Sequence, residues 1–112
     1  MKYVGRVAKK LVDETSLVRL KYPPFDVLVA RVGLRYYAIE DGCNHAGASL
    51  CEGHREGDNV VCPMHAYIFD IRTGKLITPE EMCDDQRTFV CEVEGNDVVV
   101  WDPAMLTIKA PT

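Results

Sequence analysis

The chain has 112 residues, which corresponds to one domain of ordinary size and leaves no room for a second catalytic domain. Hydrophobic residues make up 47% of it and charged residues 27%, a composition typical of globular proteins. The net charge is −4, so the sequence lacks the basic excess with which proteins neutralise nucleic-acid phosphates. We therefore predict a single globular domain, residues 1–112, that does not bind nucleic acid.

Membrane segments and disulfides are also disfavoured. No apolar run approaches the roughly 18 residues of a membrane span, and the N-terminus lacks the apolar region of a secretory signal. The cysteine count is odd, which argues against a disulfide framework and leaves metal binding as the leading use of some thiols. The five cysteines are Cys43, Cys51, Cys62, Cys83 and Cys91. We predict a soluble, cytoplasmic protein.

Alternating and β-branched stretches dominate the chain, which indicates a mostly β fold. The predicted strands, in chain order, are 16–20, 26–32, 34–39, 59–61, 66–71, 88–94 and 97–101. Turn-forming residues separate them, and Gly95-Asn96 predicts a hairpin between the last two. Helical periodicity is weak, and only 7–15 and 79–85 are predicted as short turns or helices. The tail, 102–112, is expected to pack loosely.

Two short motifs in predicted loops carry potential metal ligands. The first is Cys43-x-His45 and the second, after sixteen intervening residues, is Cys62-x-x-His65. Thiolate and imidazole together suit zinc or an iron–sulfur cluster. The gap of a single residue in the first motif is short for a mononuclear zinc site, where two to four residues usually separate ligands of one loop. A two-iron cluster removes this difficulty, because neighbouring ligands can bind different metals.

The motifs resemble those of the Rieske family, whose pattern is Cys-x-His, fifteen or more residues, then Cys-x-x-His. The resemblance continues through CPMHAYIFDIRTGKL and plausibly covers residues 4–101. It implies that Cys43 and Cys62 bind one iron of a [2Fe–2S] cluster and that His45 and His65 bind the other. It also implies a fold of small antiparallel sheets with a cluster-binding subdomain, at about residues 41–70.

The chain resembles the ferredoxin components of bacterial aromatic ring-hydroxylating oxygenase systems. That resemblance implies a monomeric one-electron carrier that is not itself a catalyst. Electrons would come from a flavin-containing ferredoxin reductase and pass to a terminal oxygenase, through the histidine edge of the cluster. Acidic residues near the motifs would steer a basic partner to that edge. They are Glu52, Glu56, Asp58, Glu80, Glu81, Asp84 and Asp85.

Four positions predict a low reduction potential. High-potential Rieske proteins carry a disulfide between the two ligand loops, but the matching positions are Ala48 and Met64. They also use serine and tyrosine hydroxyls beside the sulfurs, where this chain has Tyr67 and Phe69. We expect a potential near the low end of the Rieske range, roughly −150 mV.

Other residues receive ordinary structural interpretations. His54 is expected to be a surface or turn histidine, and the cysteines outside the motifs small, partly buried residues. Pro79 lies where related proteins place a third loop over the cluster. Three rival functions are considered: a zinc-stabilised binding module, the Rieske-like small subunit of a nitrite reductase, and the N-terminal part of an oxygenase catalytic subunit.

Overall fold

The computed structural model describes residues 1–43, 47–80 and 82–103. The described part is built almost entirely from antiparallel β-strands, which confirms the mostly β prediction. The strands are β1 (Lys2–Ala8), β2 (Val18–Leu20), β3 (Val27–Val32), β4 (Arg35–Glu40), β5 (His54–Glu56), β6 (Asn59–Val61), β7 (Ile68–Asp70), β8 (Leu76–Thr78), β9 (Thr88–Glu94) and β10 (Asp97–Asp102).

The strands form two sheets. The larger sheet has six strands in the order β1-β10-β9-β4-β3-β2, and the smaller has four in the order β5-β6-β7-β8. The chain enters the smaller sheet after β4 and returns to the larger one at β9, where Ala38 pairs with Phe89 and Ile39 with Thr88. The smaller sheet is therefore an insertion between two strands that are neighbours in the larger sheet.

All seven predicted strands are present, with ends shifted by up to two residues. The Gly95-Asn96 hairpin is confirmed, since Glu94 pairs with Asp97 across it and Gly95 has a φ of +59°. Three further strands, β1, β5 and β8, were not predicted. The short turn or helix predicted at 7–15 forms as a single 3-10 turn at Lys9–Leu11, and no helix forms among the described residues of 79–85. The tail at 104–112 lies outside the described residues.

The core has two parts. One cluster of buried side chains lies between the two sheets, since it joins Phe69 of the smaller sheet to Leu28 and Ile39 of the larger one, while another lies on the larger sheet and includes Val29 and Val98. The smaller sheet continues to Thr78, beyond the predicted subdomain of about 41–70, which stays a prediction together with the single-domain assignment. None of the helices in the described ranges is long and apolar enough to cross a membrane.

Arg55 on β5 joins the two sheets. Its guanidinium donates hydrogen bonds to the carbonyl oxygens of Arg31, Asp13 (3.4 Å) and Ser16 (3.3 Å) beside the larger sheet, and to that of Gly57 (2.8 Å) within the smaller one. Partial burial lowers the pKa of Arg55 by desolvation, and nearby carboxylates, Asp58 first, oppose that effect. Arg55 thus adds a polar link between the two sheets beside the apolar cluster that they share.

Candidate metal centre

The two ligand motifs lie in loops with the same backbone hydrogen bonds. In the first, the Cys43 amide donates to the Ala48 carbonyl (2.8 Å) and the Cys43 carbonyl accepts from the Gly47 amide (2.7 Å). In the second, the Cys62 amide donates to the Tyr67 carbonyl (2.8 Å) and the Cys62 carbonyl accepts from the Ala66 amide (3.1 Å). Each cysteine is therefore held by both of its backbone polar groups at the start of a tight loop.

The residue four positions after each cysteine has a left-handed backbone conformation. Gly47 has a φ of +72° and Ala66 a φ of +58°. Glycine adopts this conformation freely, whereas alanine pays a steric penalty of about 1–2 kcal/mol. Ala66 keeps the conformation because the hydrogen bonds at Cys62 close the loop around it.

The loops combine buried thiols with an exposed imidazole. Cys43 and Cys62 are 2% and 1% exposed and belong to the same cluster of core residues, so the fold brings these two predicted ligands together. His65 is exposed at the end of the second loop. His45 lies outside the described residues. Within the described residues, no group of three or more His, Cys, Asp or Glu side chains is arranged to hold a metal ion.

Asp41 stabilises the residues that follow the first loop by accepting hydrogen bonds from them. Its buried carboxylate accepts hydrogen bonds from the Ser49 hydroxyl (2.6 Å) and the Cys51 amide (2.9 Å). Arg19 also donates to the Ser49 hydroxyl (3.1 Å). Sequence reasoning identified Asp41 only as a turn residue, because the partners of a buried carboxylate cannot be read from a turn signal.

A third segment, 79–86, adjoins the ligand loops. Two hydrogen bonds hold its C-terminal end beside the preceding turn and strand. The backbone amide of Gln86 donates to the Gly74 carbonyl (2.8 Å), and the backbone amide of Leu76 donates to the Asp85 carboxylate (2.9 Å). Cys83 packs against the core cluster that contains Cys62. Burial, and then the charges of Asp84, Asp85 and Cys62, raise the pKa of the Cys83 thiol. The segment at Pro79, where related proteins place a third loop, thus approaches the second ligand loop.

The remaining histidine and cysteines have other surroundings. His54 is exposed, with its Nε2 2.9 Å from the Glu56 carboxylate. Burial and the Asp41 carboxylate raise the pKa of Cys51, and burial raises the pKa of Cys91 to about 12. A thiol with a raised pKa stays protonated at neutral pH and is a poor metal ligand. These surroundings support ordinary structural roles for all three residues.

The fold and the two matching cysteine loops define the class of the protein. The sequence model of the Rieske [2Fe-2S] domain family matches residues 3–89, and this chain belongs to that family. Within it, the chain is an electron carrier of the kind found as ferredoxin components of multicomponent dioxygenases and is not a catalyst alone. The zinc-module and nitrite-reductase alternatives are not favoured.

Three known proteins show this similarity. The ferredoxin component of biphenyl 2,3-dioxygenase from Rhodococcus jostii (strain RHA1) is 40% identical over 76% of this chain and 78% of its own. The ferredoxin subunit of 3-phenylpropionate/cinnamic acid dioxygenase from Shigella boydii serotype 4 (strain Sb227) is 37% identical over 80% and 83%. A chain of the "Complex of reduced oxygenase and oxidized ferredoxin in carbazole 1,9a-dioxygenase" is 30% identical, covers 88% of this chain and 92% of its own, and has a TM-score of 0.80.

The residues present fit a Rieske cluster. Two buried cysteines at the start of matching loops supply thiolates, and an exposed histidine supplies an imidazole. A [2Fe–2S] cluster with two thiolate and two neutral imidazole ligands has no net charge when oxidised, so it accepts an electron more readily than an all-thiolate cluster. When bound, the cluster supplies reversible one-electron transfer, and the protein supplies ligands, burial and a surface for partners.

Proposed function

We propose that Cys43 and Cys62 bind one iron of the cluster and that His45 and His65 bind the other. The observation that carries this assignment is the shared hydrogen bonding of the two loops, which places Cys43 and Cys62 at equivalent positions in one core. The contrast between buried thiols and an exposed His65 supports a buried thiolate side and a solvent-facing imidazole side.

Two exposed histidines allow a matched test of this assignment. His65→Ala is expected to lose the [2Fe–2S] cluster, because no other described imidazole occupies the second loop. His54→Ala removes an imidazole of equal size from the neighbouring strand β5 and is expected to keep the cluster. The readouts are iron and acid-labile sulfide content and the EPR spectrum of the dithionite-reduced protein. A His65→Ala variant with full cluster content and an unchanged spectrum would overturn the assignment.

The proposed partners are a flavin-containing ferredoxin reductase, which gives electrons, and a terminal oxygenase, which takes them. Similar proteins belong to dioxygenase systems, and one of them is part of a complex of oxygenase with ferredoxin, which supports an oxygenase partner. We propose that both partners approach the exposed His65 edge, where electrons have the shortest path to the cluster. We also propose that the protein acts as a monomer in the cytoplasm, where its five cysteines stay reduced.

Reconstitution tests the direction of electron flow. With NADH and a flavin-containing ferredoxin reductase, the cluster is expected to be reduced by one electron per chain, which is followed by bleaching of its visible absorption. Reduction that proceeds equally fast without the reductase would contradict the role as an intermediate carrier.

The reduction potential is proposed to lie at about −150 mV, the low end of the Rieske range. Hydrogen bonds to sulfur raise the potential because they stabilise the added negative charge. Phe69 is fully buried and has no hydroxyl, and Met64 is 59% exposed, so neither side chain supplies the hydroxyl or the disulfide of high-potential relatives. A redox titration monitored by circular dichroism measures the midpoint, and a clearly positive value would contradict the proposal.

A further inference from the structure

The two ligand loops differ in how they are anchored. The second loop connects β6 and β7, two paired strands whose residues Val61 and Ile68 face each other just outside the loop. The first loop has only an isolated bridge between Gly42 and Ser49 at the same place. Since strand pairing does not continue beyond that bridge, side chains from elsewhere in the chain contribute to the position of Cys43, beside the backbone hydrogen bonds of the loop.

Gln86 supplies such an anchor from the opposite side of the insertion. The amide nitrogen Nε2 of this buried residue donates hydrogen bonds to the Glu40 carbonyl (2.8 Å) and the Gly42 carbonyl (2.8 Å). These are the last residue of β4 and the residue directly before Cys43. Because both hydrogens of one planar amide group are used, the two carbonyl groups are held at a fixed spacing.

The backbone of Gln86 is itself fixed at close range. Its amide donates to the Gly74 carbonyl (2.8 Å), and Gly74 has a φ of +75°. A Cβ atom on Gly74 would lie 2.3 Å from the Gln86 carbonyl oxygen, so only glycine permits this approach. The Gln86 side chain therefore starts from a rigid point at the entry to β9.

A continuous chain of hydrogen bonds runs from Gln86 into the first ligand loop. The side-chain amide of Gln86 donates to the Gly42 carbonyl. That carbonyl belongs to the same peptide group as the Cys43 N–H, which donates to the Ala48 carbonyl. Hydrogen bonds linked through one peptide group polarise and strengthen each other. The donor end of the Gln86 amide dipole also lies on the Cys43 side, where it favours added negative charge.

We propose that Gln86 is a positioning residue for the cluster. Gln86 acts through the Gly42–Cys43 peptide group on the geometry and electron affinity of the Cys43-bound iron. The inference rests on the proposed assignment of Cys43 as a ligand. It gives a role to a buried amide that the ligand set does not include.

Gln86→Leu tests the proposal, because leucine has similar volume but no donor. We expect the variant to bind the cluster with a changed EPR spectrum and an equilibrium constant for reduction that is at least about threefold lower, where tenfold corresponds to 59 mV for one electron. The control is Tyr22→Phe, which removes the 2.6 Å hydrogen bond from Tyr22 to Asp102 in the larger sheet. The control is expected to keep the wild-type potential and spectrum.

Each other outcome is also decisive. If Gln86→Leu lowers the melting temperature but keeps the wild-type potential and spectrum, Gln86 only fills space and the proposal is overturned. If the variant binds no cluster, the far-UV circular dichroism decides. A retained β signal supports a local role at the first loop, and a lost β signal overturns it.

Cys43→Ser is the separate test of the ligand assignment. That assignment fails if the variant keeps the normal cluster.

Discussion

Gly47 and Ala66 occupy equivalent positions in the two ligand loops, and both adopt the left-handed conformation. The chain therefore contains its own comparison of glycine and alanine under this constraint. Among the described residues, and apart from the chain neighbours of Gly47, no atom lies within 4 Å of a Cβ placed there, so conformation rather than crowding decides the effect of a substitution. At the residue scale, loop stability depends on how these two positions tolerate a positive φ.

We predict that Ala66→Gly stabilises the protein and that Gly47→Ala destabilises it, each by about 0.5–1 kcal/mol. The left-handed penalty of about 1–2 kcal/mol exceeds the opposing change in unfolded-state entropy of about 0.4–1 kcal/mol. Urea unfolding of the cluster-loaded variants measures both effects. Changes of the same sign in the two variants would contradict the argument.

The residues that the sequence predicted at the site are those whose chemistry is visible in their type and spacing. Cys43 and Cys62 fall into this group, and the fold brings them into one core. Gln86 and Arg55 do not. Their importance comes from the carbonyl groups that they reach, such as Gly42 and Arg31, which lie 44 and 24 positions away in the sequence. Such contacts are set by tertiary structure and leave no local pattern.

The same limit applies to the elements. The long strands β3, β4, β9 and β10 were predicted because each presents a repeated apolar pattern over six or seven residues. Strands β5 and β8 have three residues each, too few for a pattern, and exist because β6 and β7 offer open edges beside them. β1 was missed because its positions alternate little in polarity, although it pairs with every residue of β10.

At the element scale, Arg55 is the side chain that joins β5 to the larger sheet. We predict that Arg55→Lys lowers the free energy of unfolding by about 2 kcal/mol, because one ammonium group cannot serve the carbonyl groups that a guanidinium reaches and unsatisfied carbonyls are costly when buried. Urea unfolding measures the change. Arg72→Lys, a substitution of an exposed arginine in the turn between β7 and β8, is the control and is expected to have no measurable effect. Equal losses of stability in the two variants would show that the carbonyl contacts of Arg55 are not the cause.

Cys91 makes the stability of strand β9 sensitive to alkaline pH. Burial raises its pKa from 9.0 to about 12 in the native state. The unfolded thiol loses its proton first as pH rises through 9, so the native state binds more protons and stability falls between pH 9 and 12. Below pH 9 the effect is absent.

We predict that wild type loses about 1 kcal/mol more stability than Cys91→Val between pH 8 and pH 10, since one pH unit above the lower pKa corresponds to about 1.4 kcal/mol for one group. Urea unfolding at the two pH values gives the comparison. Parallel losses in wild type and variant would show that Cys91 does not titrate in this way.

At the scale of the whole molecule, the acidic charge is divided between paired and unpaired groups. Two of the predicted steering residues form ion pairs, Glu52 with Arg19 (3.7 Å) and Asp58 with Arg72 (4.0 Å), and the Glu56 carboxylate lies 2.9 Å from His54 Nε2. Within the described part of the chain, neither Glu80 nor Asp84 has an ion pair, and both are exposed on segment 79–86 beside the second ligand loop. The charge that is free to steer a partner is therefore concentrated near the proposed site of electron transfer.

The location of this charge predicts a salt-dependent rate of electron transfer to a basic acceptor. With cytochrome c as the acceptor, neutralising both residues by Glu80→Gln and Asp84→Asn is expected to slow oxidation of the reduced protein several-fold at low ionic strength. The rates of variant and wild type should converge at about 0.5 M salt, because screening removes the attraction. Stopped-flow absorption of the cytochrome measures both rates.

The control makes the same change in net charge at the other end of β9. Glu94→Gln with Asp97→Asn neutralises two carboxylates at the Gly95-Asn96 hairpin, where both contact Arg6. Six residues of β9 separate Thr88 from Glu94, or roughly 20 Å of strand, which is about twice the screening length at 0.1 M salt. If attraction depends on charge beside the second ligand loop, this variant should keep nearly the wild-type rate. If both double variants are slowed equally, net charge rather than the acidic segment governs the encounter, and docking near His65 loses this support.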